Sequence, residues 1–208
     1  MSLITKIQNV ISPKMKRSEI INALIKKHNY KTYLEIGVSN LKNFNTVEIT
    51  LKHGVDPNAE TTFTMTSNEF FEKHIKMKYD IIFIDGLHIF EQAYKDIIDS
   101  LKWLSDDGAI VVHDCNPIRE IDQRREGISN MWNGDVWKAI LKLRMEKPDL
   151  AICTVDTDYG CGIIQRGHQK LFSAPPNTDV YTFDFLQAHR KEILNLISVR
   201  QFKKTYLA

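Results

Sequence analysis

The sequence predicts a single α/β domain: a mostly parallel, seven-stranded sheet with an antiparallel last strand and helices on both faces. Three observations carry that expectation. Residues 79–84 and 109–112 are nearly unbroken apolar runs, as parallel strands buried on both faces require. Between them Ile89, Phe90, Ala93, Tyr94, Ile97, Ile98, Leu101 and Leu104 recur at helical spacing, so strand, helix and strand form a right-handed crossover unit. Finally, the β-rich runs 150–155 and 161–165 flank a short turn at 156–160 and read as a closing hairpin.

The remaining elements follow in order. Residues 18–28 place Ile20, Ile21, Leu24 and Ile25 on one helical face, with Ser18 as N-cap. Residues 32–37 are the first strand, and a second ends at 54–57. Only eighteen residues separate Gly37 from Asp56, so the helix between them is expected to be short. Residues 62–66 read as a third strand and Ser67 as the start of a helix. Asp106, Asp107 and Gly108 read as a turn. Residues 115–133 lack periodicity and read as a long loop or lid. A helix is expected from Val136 and a last helix over 183–198, followed by a solvated basic tail. This gives one domain over 1–208: a helical extension (1–30), a core (31–167), and a C-terminal helix and tail (168–208).

Composition narrows the function classes. The formal net charge of +2 gives no basic stripe for nucleic acid, which argues against RNA methylation. No apolar run approaches the ~20 residues of a membrane span. Lys6 and Gln8 stand where a signal peptide needs an apolar core. Cys115, Cys153 and Cys161 are odd in number and lack CxxC spacing, so reduced thiols in a cytoplasmic compartment are expected.

In open parallel sheets, ligands bind at the carboxyl ends of strands near the topological switch point. Here those ends read Glu35 and Gly37, Asp56, Thr66 and Ser67, Asp85 and His88, and His113 and Asp114. A core strand needs none of these groups, and an unpaired buried carboxylate is costly. Asp56, about twenty residues beyond the Gly37 loop, has the spacing of a ribose-binding acid.

The motifs Glu35-Ile36-Gly37-Val38-Ser39-Asn40, Phe83-Ile84-Asp85-Gly86-Leu87-His88 and Val112-His113-Asp114-Cys115-Asn116-Pro117 carry a resemblance. So do Trp132 to Lys138 and Asp156 to Gly162. Over residues 33–165 the chain resembles the class I, S-adenosylmethionine-dependent methyltransferases, of a type similar to small-molecule and sugar O-methyltransferases. The resemblance implies a Rossmann-like methyltransferase fold. It also implies that Glu35, Gly37, Ser39, Asn40 and Asn43 receive the amino-acid end of S-adenosylmethionine. Asp56 would bind its ribose, and Thr66, Ser67, Asp85 and His88 would complete the pocket. The first motif departs from the family in having Leu41, Lys42 and Asn43 where further glycines are usual.

Two catalytic arrangements fit the second pair of strand ends. His88 or His113 could be a general base for an acceptor hydroxyl, with Asp114 beside it. Alternatively Asp85, His113 and Asp114 could hold magnesium or manganese, because metal-dependent O-methyltransferases of this fold resemble this layout. Cys115 stands where some of those enzymes have Asn, and Cys is a poor magnesium ligand. Trp132 and Trp137 are candidate walls for the acceptor, and Arg119, Arg124 and Arg125 are candidate contacts for an anionic one such as a nucleotide-sugar. The resemblance implies O-methylation of a small molecule or glycan, with a sugar hydroxyl favoured. Two other classes are a non-catalytic S-adenosylmethionine-binding scaffold and a dinucleotide-dependent oxidoreductase, which would want a fuller GxGxxG.

Overall fold

The computed structural model of the chain describes residues 14–127 and 132–208. Seven strands form one sheet: β1 (Thr32–Ile36), β2 (Leu51–Val55), β3 (Tyr79–Ile84), β4 (Leu104–Val112), β5 (Leu150–Val155), β6 (Cys161–Arg166) and β7 (Leu196–Ile197). Their order is β2-β1-β3-β4-β6-β5-β7. Only β6 runs against its neighbours, pairing antiparallel with both β4 and β5. The strand direction of travel reverses between β1 and β3, which places the switch point there.

Side chains alternate across the sheet with period two. Leu34, Ile82, Ile84, Ile110, Val112 and Ile164 face one core, packed under α4 (Phe90–Trp103), α5 (Trp137–Glu146) and α6 (Phe183–Ile193). Tyr33, Ile81, Phe83, Val111 and Ile163 face the other, packed under α1 (Arg17–His28) and α7 (Val199–Tyr206). The first crossover holds only the short helix α2 (Lys42–Thr46), in line with the narrow spacing.

Five local expectations are corrected. Residues 62–66 make no strand, only one parallel bridge from Phe63 to Val55. A parallel neighbour needs a crossover of a dozen or more residues, and only residues 56–61 intervene. The threonines there bond locally instead: Thr62 accepts from Gly54 N, Thr64 donates to Ala59 O, and Thr66 caps α3 (Ser67–Glu69), which runs on as a π-helical turn, Phe70–His74. Helix α1 starts one residue earlier than read, with Lys16 as N-cap and Ser18 buried in the first turn. The last helix stops at Ile193. Asn195, at φ 43°, turns the chain and donates to Ile152 O, and Leu196–Ile197 then pair with β5. The tail is not a solvated strand of charges: α7 is capped reciprocally by Ser198 and Gln201 and buries Val199 and Phe202. The turn expected at 106–108 is a bulge inside β4, where residues 105–108 stand opposite Asp80 alone and Ser105 donates to its carboxylate at 2.8 Å.

The described part of the 115–133 segment contains a 3-10 turn, Glu120–Gln123, tied down by Asn133 N and Trp137 Nε1. Residues 128–131 of that expected lid lie outside the described residues. Among the described residues, no helix is long and apolar enough to cross a membrane.

Candidate functional site

The carboxyl ends of β1 to β4 and the β5–β6 turn open into one cleft of about 1310 Å³. Glu35, Gly37, Ser39, Asn40, Asn43, Asp56, Thr66, Ser67, Asp85, His88, His113 and Asp114 all line it. Its volume exceeds that of an ordinary single-ligand pocket and leaves room for two molecules.

The β1 end is built by a turn with three left-handed residues: Gly37 (φ 85°), Ser39 (φ 48°) and Leu41 (φ 62°). At Gly37 a Cβ would lie 2.2 Å from the Asp85 carbonyl oxygen, so only glycine lets the β1 and β3 ends approach this closely. Ser39 and Leu41 adopt the same region without that freedom, a local strain of the kind concentrated at binding sites. Asp56 holds the turn through Ser39 N at 2.8 Å and Asn58 N at 2.7 Å. Each of its oxygens accepts one of these bonds and retains a lone pair for a hydroxyl in the cleft.

Glu35 is 1% exposed. Burial pushes its carboxyl up to about 7, although hydrogen bonds from Tyr33 Oη and from Asn43 Nδ2 at 3.0 Å work the other way. Asn43 Oδ1, also buried, has no hydrogen-bond partner among the described residues. When ionised, this carboxylate and the amide oxygen beside it form an acceptor-rich spot suited to an ammonium group. The glycine cradle, this acceptor pair and the two free lone pairs of Asp56 together fit S-adenosylmethionine.

At the other end of the cleft, acids and bases form one network. His88 Nε2 lies 3.3 Å from both Asp85 Oδ1 and Asp114 Oδ2, and its Nδ1 is 3.2 Å from Trp132 O. Every neighbour of this ring is an acceptor. Burial works against the charged ring, yet the two aspartates raise its pKa. His113, 3% exposed, presents Nδ1 to Asp114 at 3.0 Å and to Asp85 at 3.3 Å. Against the penalty of burial, Asp85, Asp114 and Asp158 raise its pKa well above the usual range. Burial alone would raise the Asp85 carboxyl, but His113, His88 and Arg17 hold it far below. Asp114 has φ 60° and accepts from Asn133 Nδ2 at 2.8 Å, while the next two residues bond Gly160 O and Tyr159 O. The strained backbone aims the Asp114 carboxylate at His88.

Sequence reasoning missed several residues here. Asp158 and Tyr159 (φ 45° and 62°) bring the β5–β6 turn to the cleft. Arg17 enters from α1. Asp96 sits on the inner face of α4 with Gln92 donating at 2.8 Å, and burial pushes its carboxyl up to about 6. An acid at the inward i+3 position from Ala93 was a readable signal. Arg17 had none, because α1 reaches the cleft only through tertiary packing.

Of the acceptor candidates, Trp132 lines the cleft with its ring 4.7 Å from that of His88. Trp137 is fully buried and donates to Gln123 Oε1, so it is a core residue and forms no wall. Arg119 pairs with Asp122, and Arg125 with Glu91 and Asp135.

The donors Asp85, His113 and Asp114 lie within 4.8 Å of one another, close enough to chelate an ion. With Arg17 in place they do not fit one. Its NH1 is 2.6 Å from Asp85 Oδ2 and 3.1 Å from His113 Nδ1, among the very donors the ion would need. Cys115 turns its thiol away, to Val112 O and His113 O.

Residues 18–115 match the family described as a methyltransferase domain. No curated protein matches the chain. Among solved structures, a Staphylococcus aureus protein assigned as a caffeoyl-CoA O-methyltransferase is 19% identical, with a TM-score of 0.54 over 75% of this chain and 86% of that one. A Klebsiella pneumoniae protein assigned as an O-methyltransferase is 13% identical, with a TM-score of 0.56 over 72% and 79%. A Bacillus cereus O-methyltransferase solved with S-adenosylhomocysteine is 15% identical, with a TM-score of 0.50 over 71% and 78%. At these identities the structures speak for the fold.

Proposed function

We propose that the chain, whose residues 18–115 match a methyltransferase domain, is a class I, S-adenosylmethionine-dependent enzyme that methylates a hydroxyl oxygen of a small molecule or glycan. The supporting observation is the position of His88. It lines the cleft between two carboxylates, with the Trp132 ring against its own.

When bound, S-adenosylmethionine supplies an electrophilic methyl group. The chain must then orient an acceptor oxygen and take its proton. Glu35, Asn43 and the Gly37–Asn40 turn would hold the amino-acid end, Asp56 would hold the ribose, and Thr66 and Ser67 would border the base. His88 Nε2 accepts the hydroxyl proton. Asp85 and Asp114 stabilise the imidazolium that results, and the Trp132 carbonyl holds Nδ1–H and fixes the ring. His113 is too buried to meet an acceptor. It acts behind the two carboxylates, neutralising their charge and fixing their orientation.

We favour a sugar hydroxyl as the acceptor. Trp132 and the 43%-exposed Tyr159 provide aromatic faces against which a sugar ring can lie. Arg119 and Arg125 are engaged in ion pairs and are poorly placed to hold a diphosphate, so we favour a glycoside over a nucleotide-sugar. Arg17 stands among the donors a divalent cation would need, so the proton transfer falls to His88.

The test is label transfer from methyl-labelled S-adenosylmethionine to a panel of glycosides, flavonoid-like phenols and amines. Transfer to a glycoside, lost in His88→Gln, supports the reading. Transfer only to amines, unchanged in His88→Gln, refutes it.

A further inference from the structure

Asp85, Asp114 and Asp158 converge on His113 from three separate strand ends and turns. Carboxylates this close repel one another and need a fixed cation among them. Arg17 reaches that position from the first turn of α1. Its NH1 meets Asp85 at 2.6 Å, and its Nε meets Asp158 Oδ2 at 3.2 Å. The guanidinium is not a loose side chain that happens to lie there. The same Asp158 oxygen accepts the Arg17 backbone N–H at 2.8 Å, an orphan donor of the helix terminus. Two residues earlier, Met15 exchanges both of its backbone bonds with Thr157 Oγ1, at 3.1 and 2.7 Å. The β5–β6 turn therefore grips the start of α1 at three points, and the grip sets where the guanidinium lies.

We propose that Arg17 is the resident cation of the reaction centre: α1 inserts a guanidinium where a divalent ion would otherwise be chelated by Asp85, His113 and Asp114. Arg17 is a positioning residue. It neutralises Asp85 and Asp158 without blocking the oxygens that face His88, since Asp85 offers Oδ2 to Arg17 and Oδ1 to His88. A lysine is a poor substitute, because only the planar fork can reach Asp85 through one nitrogen and Asp158 through another. The inference rests on reading this cleft as the methyl-transfer site, so its test measures metal and cofactor binding separately.

The experiment titrates Mn2+ into the chelator-treated full chain and follows free Mn2+ by electron paramagnetic resonance. Calorimetry with S-adenosylmethionine on the same samples reports the cofactor pocket. Wild type is expected to take up no Mn2+ below about 1 mM, and Arg17→Met to bind one ion per chain at least about tenfold more tightly. Arg17→Lys should fall between the two, because one ammonium can meet only one of the two carboxylates. Stoichiometric Mn2+ uptake by wild type overturns the proposal, and so does a folded Arg17→Met that binds no better than wild type. If Arg17→Met does not fold, the wild-type titration and the insensitivity of its methyl transfer to EDTA decide. A loss of S-adenosylmethionine binding in Arg17→Met with no gain of Mn2+ assigns Arg17 to the cofactor and also overturns it. If wild type fails to bind S-adenosylmethionine, the methyltransferase reading fails, and the metal titration is unaffected.

Discussion

Replacing Glu35 by Gln isolates the free energy held in one buried carboxyl. Burial raises this group from an ordinary 4.5 to about 7. At about 1.36 kcal/mol per pH unit, its ionisation costs the folded chain about 3 kcal/mol. The sign follows from the raised value. The neutral group's contribution is complete below pH 4.5, declines as the pH climbs toward 7, and is lost above it. A glutamine keeps the shape and stays neutral at every pH. Glu35→Gln should therefore stabilise the cofactor-free chain by about 3 kcal/mol at pH 8 and by less than about 1 kcal/mol at pH 5. At 2–4 °C per kcal/mol, Tm at pH 8 should rise by about 6–12 °C. The ionised carboxylate is what an ammonium group needs, so the same variant should bind S-adenosylmethionine about ten- to a hundredfold more weakly. Thermal melts of both proteins at pH 5 and pH 8, with calorimetry beside them, test both halves. A Tm difference that does not change with pH refutes the idea that Glu35 is held partly neutral.

Three other predictions address the base, the turn and the tail. His88→Gln should lower kcat/KM by about 10²- to 10⁴-fold with S-adenosylmethionine affinity unchanged. Because only neutral His88 can take a proton and its pKa is raised, wild-type kcat/KM should climb with pH through a midpoint above 6.5, and Asp114→Asn should move that midpoint down; a pH-independent rate speaks against His88. Gly37→Ala forces a Cβ to within 2.2 Å of a backbone oxygen at φ 85°, so it should abolish cofactor binding and lower Tm, with an unchanged melt as the contrary result. Phe202→Ala should cost about 3–5 kcal/mol in urea unfolding, because α7 is part of the core; a near-neutral change would mean the tail is dispensable.

The strand ends were legible because a long apolar run that stops at an acid is hard to explain in any other way. Residues 79–85 and 109–114 show this directly, and Asp85, His113 and Asp114 do meet in space. Burial makes the chemistry visible, since an unpaired carboxylate there needs a partner. What stayed hidden has equally physical reasons. Asp158 lies within the Asp156–Gly162 motif that carries the resemblance, but it sits in a turn, where an acid is ordinary and spacing does not mark it as inward-facing. The two residues of β7 are too few to show a period. Residues 62–66 have the composition of a strand, but chain length denies them a crossover. The start of α7 was readable in hindsight, because Ser198 and Gln201 form a reciprocal cap and Val199 and Phe202 share a face.

The most direct measurement is calorimetric titration of the wild type and Asp56→Ala with S-adenosylmethionine and, separately, with NAD. The cleft as described predicts one S-adenosylmethionine per chain, no NAD, and at least about tenfold weaker binding once Asp56 can no longer hold the ribose or the Ser39 turn. If NAD binds and S-adenosylmethionine does not, the assignment of the cleft is wrong.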